Sequence, residues 1–222
     1  LSSFTHPHDP FTITKEYWDR YDDSEIYMPE VPLMAYEKLD PHSQRIHHVC
    51  AMGDYKQHEH DVRDSRHAYY SMISYIDDKV GTLLKALENT GLRENTAIVF
   101  VSDHGEMLGN RGLWYKMSFF EWSCRIPMMF HFPKRFAAKR IKQPVSLVDI
   151  LPTLTELASG KTQLEYAEPP EGRSLVPVLD GGDTLSDDPV YGEMLFETTI
   201  APVLMIRDKR YKYIYCEKDP EL

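Results

Sequence analysis

With 222 residues, 42% of them apolar, the chain is long enough for one sizeable core plus a small appendage. Its formal net charge of −10 argues against nucleic-acid binding, which requires a basic surface. No apolar run approaches the roughly 18 residues of a membrane span, so no membrane partner is expected. Three cysteines without a C-x-x-C pair indicate neither structural zinc nor a disulfide framework, and we expect a cytoplasmic location.

The first part of the chain predicts a strand end, a loop and a long helix. Residues 1–4 are strand-like, and two prolines in segment 5–11 force an extended loop. Residues 12–50 lack strong periodicity and indicate a functional surface loop. From 61 to 89, apolar residues recur at spacings of three and four, which predicts a helix that Gly91 ends.

The stretch that follows this helix organises the chain. The apolar, β-branched run 97–101 predicts a buried strand in a parallel arrangement, and it stops abruptly at polar residues. Because α/β proteins place ligand sites beyond the carboxyl ends of parallel strands, Asp103 and His104 are expected to lie at a site. The alternation of helix and strand predicts an α/β fold.

The second part of the chain contains another strand and helix and then changes character. Residues 126–132 predict a strand, 146–158 a helix, and 161–189 an acidic loop. Three short strands follow, and Asp208-Lys209-Arg210 forms the turn between the last two. We therefore expect a small antiparallel subdomain that begins near residue 180, with strands at 190–195, 203–207 and 211–215.

Asp103 and His104 are the first candidate site, since a carboxylate oxygen and an imidazole nitrogen can both ligate a divalent cation. Ca²⁺ prefers oxygen donors, whereas a histidine ligand favours Mn²⁺ or Zn²⁺. The alternative is that Asp103 caps a turn and His104 packs against its neighbours. Two ligands are too few for either metal, so the others must come from elsewhere.

Three further side chains are candidates, each with an ordinary alternative. Lys116 lies among aromatic residues, where it can hold a tetrahedral anion or donate a proton, or simply cover apolar surface. His8 lies between prolines, where it can bind an anion or protonate a leaving group, or be solvated. Glu193 is a carboxylate in an apolar strand, which needs a substrate cation or an arginine such as Arg207 unless it faces water.

Together these segments resemble the sulfatase family of the alkaline phosphatase superfamily. The stretch W-Y-K-M-S-F-F-E-W at 114–122 is typical of the choline-sulfatase subgroup. The matching segments follow the family's order and cover most of the chain: S-F-T-H-P-H-D-P-F (3–11), Y-Y-S-M-I-S-Y-I-D-D-K-V-G (69–81), V-S-D-H-G-E-M-L-G-N-R-G-L-W-Y-K-M-S-F-F-E-W-S (101–123), R-I-P (125–127), V-S-L-V-D-I-L-P-T-L (145–154) and E-G-R-S-L (171–175).

The resemblance implies a role for each candidate. Asp103 and His104 match the family's second pair of ligands to one divalent cation, for which Ca²⁺ is expected and Mn²⁺ or Mg²⁺ are alternatives. Lys116 matches the lysine that contacts the sulfate and helps the ester oxygen leave. His8 matches the sulfate-binding histidine, and Glu193 the acidic residue that faces the ammonium group of choline.

The family's nucleophile motif, C-x-P-S-R or its serine form, does not occur in the 222 residues. The resemblance therefore implies an internal piece of a longer protein, with the formylglycine nucleophile in an N-terminal part. Residues 1–179 would belong to the sulfatase α/β catalytic domain, a sheet flanked by helices, and 180–222 would begin the antiparallel subdomain.

The full-length protein is then expected to be a homo-oligomeric sulfuric ester hydrolase that acts on choline sulfate, while the piece by itself is inactive. Two alternatives stay open. One is a phosphonate monoester hydrolase or phosphodiesterase of the same superfamily, and the other is a non-catalytic fragment that only binds a partner or a metal.

Overall fold

The computed structural model describes residues 1–54, 56–161, 165–182, 185, 188–195 and 197–219. The chain divides into two compact units. The first unit consists of Leu1–Arg93 and His104–Ile126, and the second of Glu94–Asp103 and Pro127–Leu222. Residues 180–222 thus share a unit with 127–179, and a separate subdomain from residue 180 stays a prediction about the whole protein.

Helices and short strands alternate along the described part of the chain. The α-helices are α1 (Lys15–Trp18), α2 (Pro41–Val49), α3 (Glu59–Asn89), α4 (Glu121–Cys124), α5 (Ile150–Ser159) and α6 (Val176–Leu179). The strands are β1 (Ile98–Val101), β2 (Met128–His131), β3 (Val190–Met194), β4 (Val203–Arg207) and β5 (Lys212–Cys216). Single 3₁₀ turns lie at Asp23–Glu25, Tyr36–Lys38, Arg93–Asn95, Asn110–Gly112 and Leu147–Asp149.

Helix α3 is the longest element of the first unit and confirms the helix predicted at 61–89. It begins two residues earlier, where the backbone amide of His58 donates to the carboxylate of Asp61. It ends before Gly91, whose φ of 69° is a left-handed conformation that glycine adopts without strain. Its buried side chains come mostly from the first half of the helix: Val62, Arg66, His67, Ala68, Ser71, Met72 and Ile76.

A buried histidine of α3 fastens the segment around α1 to this helix. The ring of His67 stacks on that of Trp18, with 3.9 Å between centroids. Its Nε2 donates to the carbonyl of Trp18 at 2.9 Å, and its Nδ1 lies 3.1 Å from the carboxylate of Asp23. These contacts hold residues 18–23 against α3 although they are distant in sequence.

The prediction that residues 12–50 are irregular is wrong at α2. Asp40 precedes the helix, and its side chain accepts a hydrogen bond from the amide of Ser43 at 2.9 Å. Pro41 occupies the first turn, where its missing N–H costs nothing. The Asp-Pro pair is therefore the sequence signal that marks this helix start.

Two strand predictions need correction. Strand β1 pairs antiparallel with β2, with Ile98 opposite His131. Among the described residues these two strands form a sheet of their own, and no residue of β1 is fully buried. An apolar run signals burial but carries no information on strand direction, so the buried, parallel arrangement is wrong.

Residues 1–4 form no strand and are exposed, because no described strand pairs with them.

The three-stranded antiparallel sheet of the second unit confirms the prediction for its strands, in the order β3-β4-β5. At the turn, the side chain of Asp208 accepts hydrogen bonds from the amides of Arg210 and Tyr211. Val203 of β4 and Cys216 of β5 lie opposite each other and are buried. The other face of the sheet is exposed.

A buried carboxylate joins α5 to the segment that leads into α6. Asp149 accepts hydrogen bonds from the amides of Ser146 and Arg173, both at 2.9 Å. The hydroxyl of Thr153 accepts from the amide of Leu175 at 2.9 Å. The helix predicted at 146–158 is confirmed, with its first turn in 3₁₀ form.

Within the described ranges, none of the helices combines the length and the apolarity needed to cross a bilayer.

The core of the first unit should be sensitive at Leu113, which is fully buried against Ile46, Met52 and Met107. Leu113→Ala is expected to lower the free energy of unfolding by about 2–5 kcal/mol, because it leaves a cavity. Urea unfolding measures the change. The control is Leu83→Ala on the exposed side of α3, for which we expect less than about 0.5 kcal/mol; equal losses would contradict the assignment of the core.

Candidate active site

The polar segment that follows β1 folds back on itself as a closed loop. The amide of Gly105 donates to the carbonyl of Ser123 at 2.7 Å, and the amide of Glu106 donates to the carbonyl of Trp122 at 2.8 Å. A Cβ on Gly105 would lie 2.1 Å from the carbonyl oxygen of Trp122. Only glycine allows this approach, so the loop 105–123 closes at its base because of that residue.

Inside the loop, hydrogen bonds fix the backbone on both sides of Lys116. The amide of Met107 donates to the carbonyl of Tyr115 at 2.8 Å. The buried ring of His42, on α2, donates to the carbonyl of Met117 at 2.8 Å. The hydroxyl of Ser123 lies against the carbonyl of Lys116. The lysine therefore projects from a backbone with little freedom.

Lys116 meets His8, which lies 108 residues earlier in the sequence. Their Nζ and Nε2 atoms are 2.7 Å apart, and both side chains are half-buried. The Nδ1 of His8 lies 2.8 Å from the carbonyl oxygen of Asp9. A carbonyl only accepts, so Nδ1 carries the proton and Nε2 presents a lone pair to the ammonium group. Loop 5–11 and loop 105–123 thus form one polar site.

His104 joins this site from the start of the loop. Its ring lies edge-on to that of His8, with 5.8 Å between centroids. Its Nδ1 donates to the carbonyl of Gly105 at 2.8 Å, which leaves the lone pair on Nε2. A metal-ligating imidazole is commonly oriented by such a bond to a carbonyl. Three of the residues predicted from the sequence, His8, His104 and Lys116, therefore lie together in the first unit.

The other two predicted residues belong to the second unit. Asp103 is exposed at the end of β1, and Glu193 is exposed on β3, the edge strand of its sheet. Their roles as metal ligand and choline contact stay predictions. In the part of the chain that the structure describes, no group of three or more His, Cys, Asp or Glu side chains could hold a metal ion.

Glu106 has no role predicted from the sequence, although it lies two residues after His104. Its Oε1 accepts hydrogen bonds from the amide of Tyr115 at 2.5 Å and from that of Leu108 at 3.3 Å. Burial has the largest effect on Glu106 and raises its pKa. The hydrogen bonds from the two amides and the charge of Lys116 lower the pKa, while the charge of Asp9 raises it. The only sequence signal for this residue is its position in the D-H-G-E motif.

A half-buried phenol lies beside this carboxylate. Burial raises the pKa of Tyr69 to about 12, and the charge of Glu106 adds to the effect. The ring of Phe11 packs edge-on against that of Tyr69, with 5.7 Å between centroids. Loop 5–11 is thereby attached to α3 through an aromatic contact that stays neutral at ordinary pH.

Comparison with known families now identifies the fold. Residues 2–161 match the model of the sulfatase family, and residues 109–222 match that of the C-terminal part of N-sulphoglucosamine sulphohydrolase. The chain belongs to the sulfatase family. The resemblance that the D-H-G-E and H-P-H-D segments suggested is confirmed, and so is the sulfatase-like α/β fold.

Individual relatives agree with this family. The chain is 44% identical over 220 residues to a choline-sulfatase of Rhizobium meliloti (strain 1021), covering 99% of this chain and 42% of that protein. It is 30% identical over 234 residues to an arylsulfatase of Clostridium perfringens (strain 13 / Type A), covering 99% of this chain and 47% of that protein. The chain thus spans less than half the length of these two relatives.

Solved structures show the same fold. The phosphonate monoester hydrolase of Agrobacterium radiobacter superposes with a TM-score of 0.78 at 26% identity, covering 95% of this chain and 46% of that chain. The phosphonate monoester hydrolase SpPMH from Silicibacter pomeroyi gives a TM-score of 0.81 at 22% identity, covering 94% of this chain and 46% of that chain.

The close approach at Gly105 can be tested against a glycine with free space around it. Gly105→Ala should lower the free energy of unfolding by about 1–3 kcal/mol, because the new methyl group forces the backbone of the loop apart. Gly81→Ala, in the middle of α3 with no atom within 4 Å of the new Cβ, should raise it by about 0.5–1 kcal/mol. Urea unfolding of both variants measures the difference, and a neutral Gly105→Ala would disprove the contact.

Proposed function

We propose that the full-length protein hydrolyses sulfate esters, with choline sulfate as its substrate, and that this chain supplies the residues that hold the sulfate group. The observation that carries the proposal is the 2.7 Å contact between Lys116 and His8. It sets an ammonium group and an imidazole side by side in a half-buried site, in a chain of the sulfatase family. The sequence similarity to a choline-sulfatase supports the choice of ester.

Lys116 and His8 would act on the oxygens of the ester. The ammonium group of Lys116 donates hydrogen bonds to sulfate oxygens and offsets the charge that grows on the leaving oxygen. A partly dehydrated site strengthens this attraction, since the effective dielectric constant is lower than in water. The proton that the leaving alcohol needs would come from Lys116, the donor of the pair, or from His8 once its Nε2 has taken up a proton.

Asp103 and His104 would hold a divalent cation, Ca²⁺ in our expectation, with Mn²⁺ or Mg²⁺ as alternatives. A carboxylate oxygen and an imidazole nitrogen are both known ligands of such cations. Because Nδ1 of His104 donates to the carbonyl of Gly105, Nε2 would be the atom that ligates the cation. When bound, the cation would neutralise sulfate oxygens as a Lewis acid. The remaining ligands and the formylglycine, which supplies the attacking oxygen, are expected in the rest of the protein.

The choline end of the substrate would be recognised by Glu193. This residue lies on the exposed face of its sheet, opposite Leu204, which in turn lies opposite Tyr215. The next row of that face holds Tyr191, Ile206 and Tyr213. A quaternary ammonium group is bound by aromatic faces and a carboxylate, and this face carries both. We also propose that the whole protein forms a homo-oligomer.

A phosphonate monoester hydrolase is the second candidate. The structural similarity to the enzyme of Agrobacterium radiobacter, with a TM-score of 0.78 at 26% identity, supports it. Turnover of choline sulfate and of a phenyl phosphonate ester by the full-length protein separates the two candidates. A full-length sequence without a cysteine or serine nucleophile motif would instead leave a protein that only binds a partner or a metal.

Lys116→Ala in the full-length protein should lower kcat/KM for choline sulfate by about 10²–10³-fold, the usual effect of removing one donor to a developing anion. Sulfate release measures the rate. Lys85→Ala, which removes an exposed lysine of α3, is the control and should leave the rate unchanged. Parent-like activity in Lys116→Ala would refute the proposed role.

Glu193→Gln should raise KM for choline sulfate about tenfold while kcat changes little, because the carboxylate is expected to bind the ammonium group rather than the reacting atoms. With 4-nitrophenyl sulfate, which has no cation, the variant should match the parent enzyme. Glu217→Gln, at an exposed position just after β5, is the matched control. An unchanged KM for choline sulfate in Glu193→Gln would remove the choline assignment.

A further inference from the structure

Three non-glycine residues of the loop 105–123, Leu108, Arg111 and Tyr115, hold left-handed backbone, and two of them share one acceptor. Leu108 has φ of 48° and Tyr115 has φ of 67°. Their amides are the two donors to Oε1 of Glu106, at 3.3 and 2.5 Å. Left-handed backbone is disfavoured for any residue with a Cβ, so the conformation requires a compensating interaction. The carboxyl oxygen of Glu106 provides it at both positions.

Tyr115 directly precedes Lys116, so the hydrogen bond from the amide of Tyr115 to Glu106 affects the position of the lysine. The carbonyl of Lys116 accepts a hydrogen bond from the amide of Ser118 at 2.5 Å, which fixes the other side of the residue. A carboxylate is a stronger acceptor than an amide oxygen, and Glu106 is half-buried, out of bulk water. If Tyr115 relaxed to ordinary backbone, Lys116 would leave the position in which it lies 2.7 Å from His8.

We propose that Glu106 is a positioning residue for Lys116: it holds Tyr115 in left-handed backbone and thereby aims the ammonium group at the anion. This inference rests on the proposed role of Lys116 as the sulfate contact. Glu106 acts through the backbone of the loop, not by contact with the ester. Its removal should therefore matter only as long as the lysine is present.

The test is a double-mutant cycle in the full-length enzyme, with kcat and KM measured for choline sulfate. Glu106→Ala should lower kcat/KM on the order of 10²-fold in the parent background, as expected when a catalytic group is displaced by about 1 Å. The isosteric Glu106→Gln keeps one oxygen acceptor and should lose less, about three- to tenfold. In a Lys116→Ala background neither substitution should lower kcat/KM further.

A structural carboxylate elsewhere provides the control. Asp149 also accepts two backbone amides, those of Ser146 and Arg173, but it lies in the second unit. Asp149→Asn should change kcat/KM by the same factor in the parent and in the Lys116→Ala background. If Glu106→Gln also lowered kcat/KM by the same factor in both backgrounds, Glu106 would have only a structural role and the positioning proposal would be overturned.

A glycine substitution gives an independent readout. Glycine adopts left-handed backbone without strain, so the effect of Glu106→Gln should be smaller in a Tyr115→Gly background than in the parent. An equal or larger effect there would contradict the mechanism. A Lys116→Ala variant as active as the parent would overturn the proposed function itself. A strong Lys116→Ala effect with an additive Glu106→Gln effect would overturn only the positioning role.

Discussion

The backbone of Gly105 lies so close to the carbonyl oxygen of Trp122 that no side chain fits between them. This contact, with the hydrogen bonds to Trp122 and Ser123, closes the loop 105–123 at its base. Because the loop is closed, His104 at its start and Lys116 within it face the same loop 5–11 and meet His8. The geometry of the candidate site therefore depends on a single glycine.

Charge is distributed in this site so that one cation is surrounded by potential partners. Lys116 contacts the imidazole of His8, and the charge of Asp9 raises the pKa of Glu106 while that of Lys116 lowers it. Burial disfavours the ionised form of Glu106, and such a cost is typical of functional sites. The half-buried ammonium group of Lys116 thus has an imidazole nitrogen 2.7 Å away, and its proposed role is to contact the sulfate.

The second unit offers a different chemistry. The exposed face of its three-stranded sheet combines the carboxylate of Glu193 with apolar and tyrosine side chains, among them Tyr191 and Tyr213. Contiguous exposed apolar surface on a sheet usually marks a binding surface. A carboxylate among aromatic faces is the chemistry that binds a quaternary ammonium group, which is why we propose Glu193 as the choline contact.

The sequence by itself determined the elements whose pattern is local: helices α3 and α5, and strands β3, β4 and β5, follow from spacings of three to four or from alternation. Its motifs also indicated the family and the candidate residues. Only the tertiary structure decided that β1 runs antiparallel to β2, that Lys116 reaches His8 across 108 residues, and that Glu106 accepts a hydrogen bond from the amide of Tyr115. Strand direction and long-range contacts depend on packing between distant segments, about which local propensity carries no information.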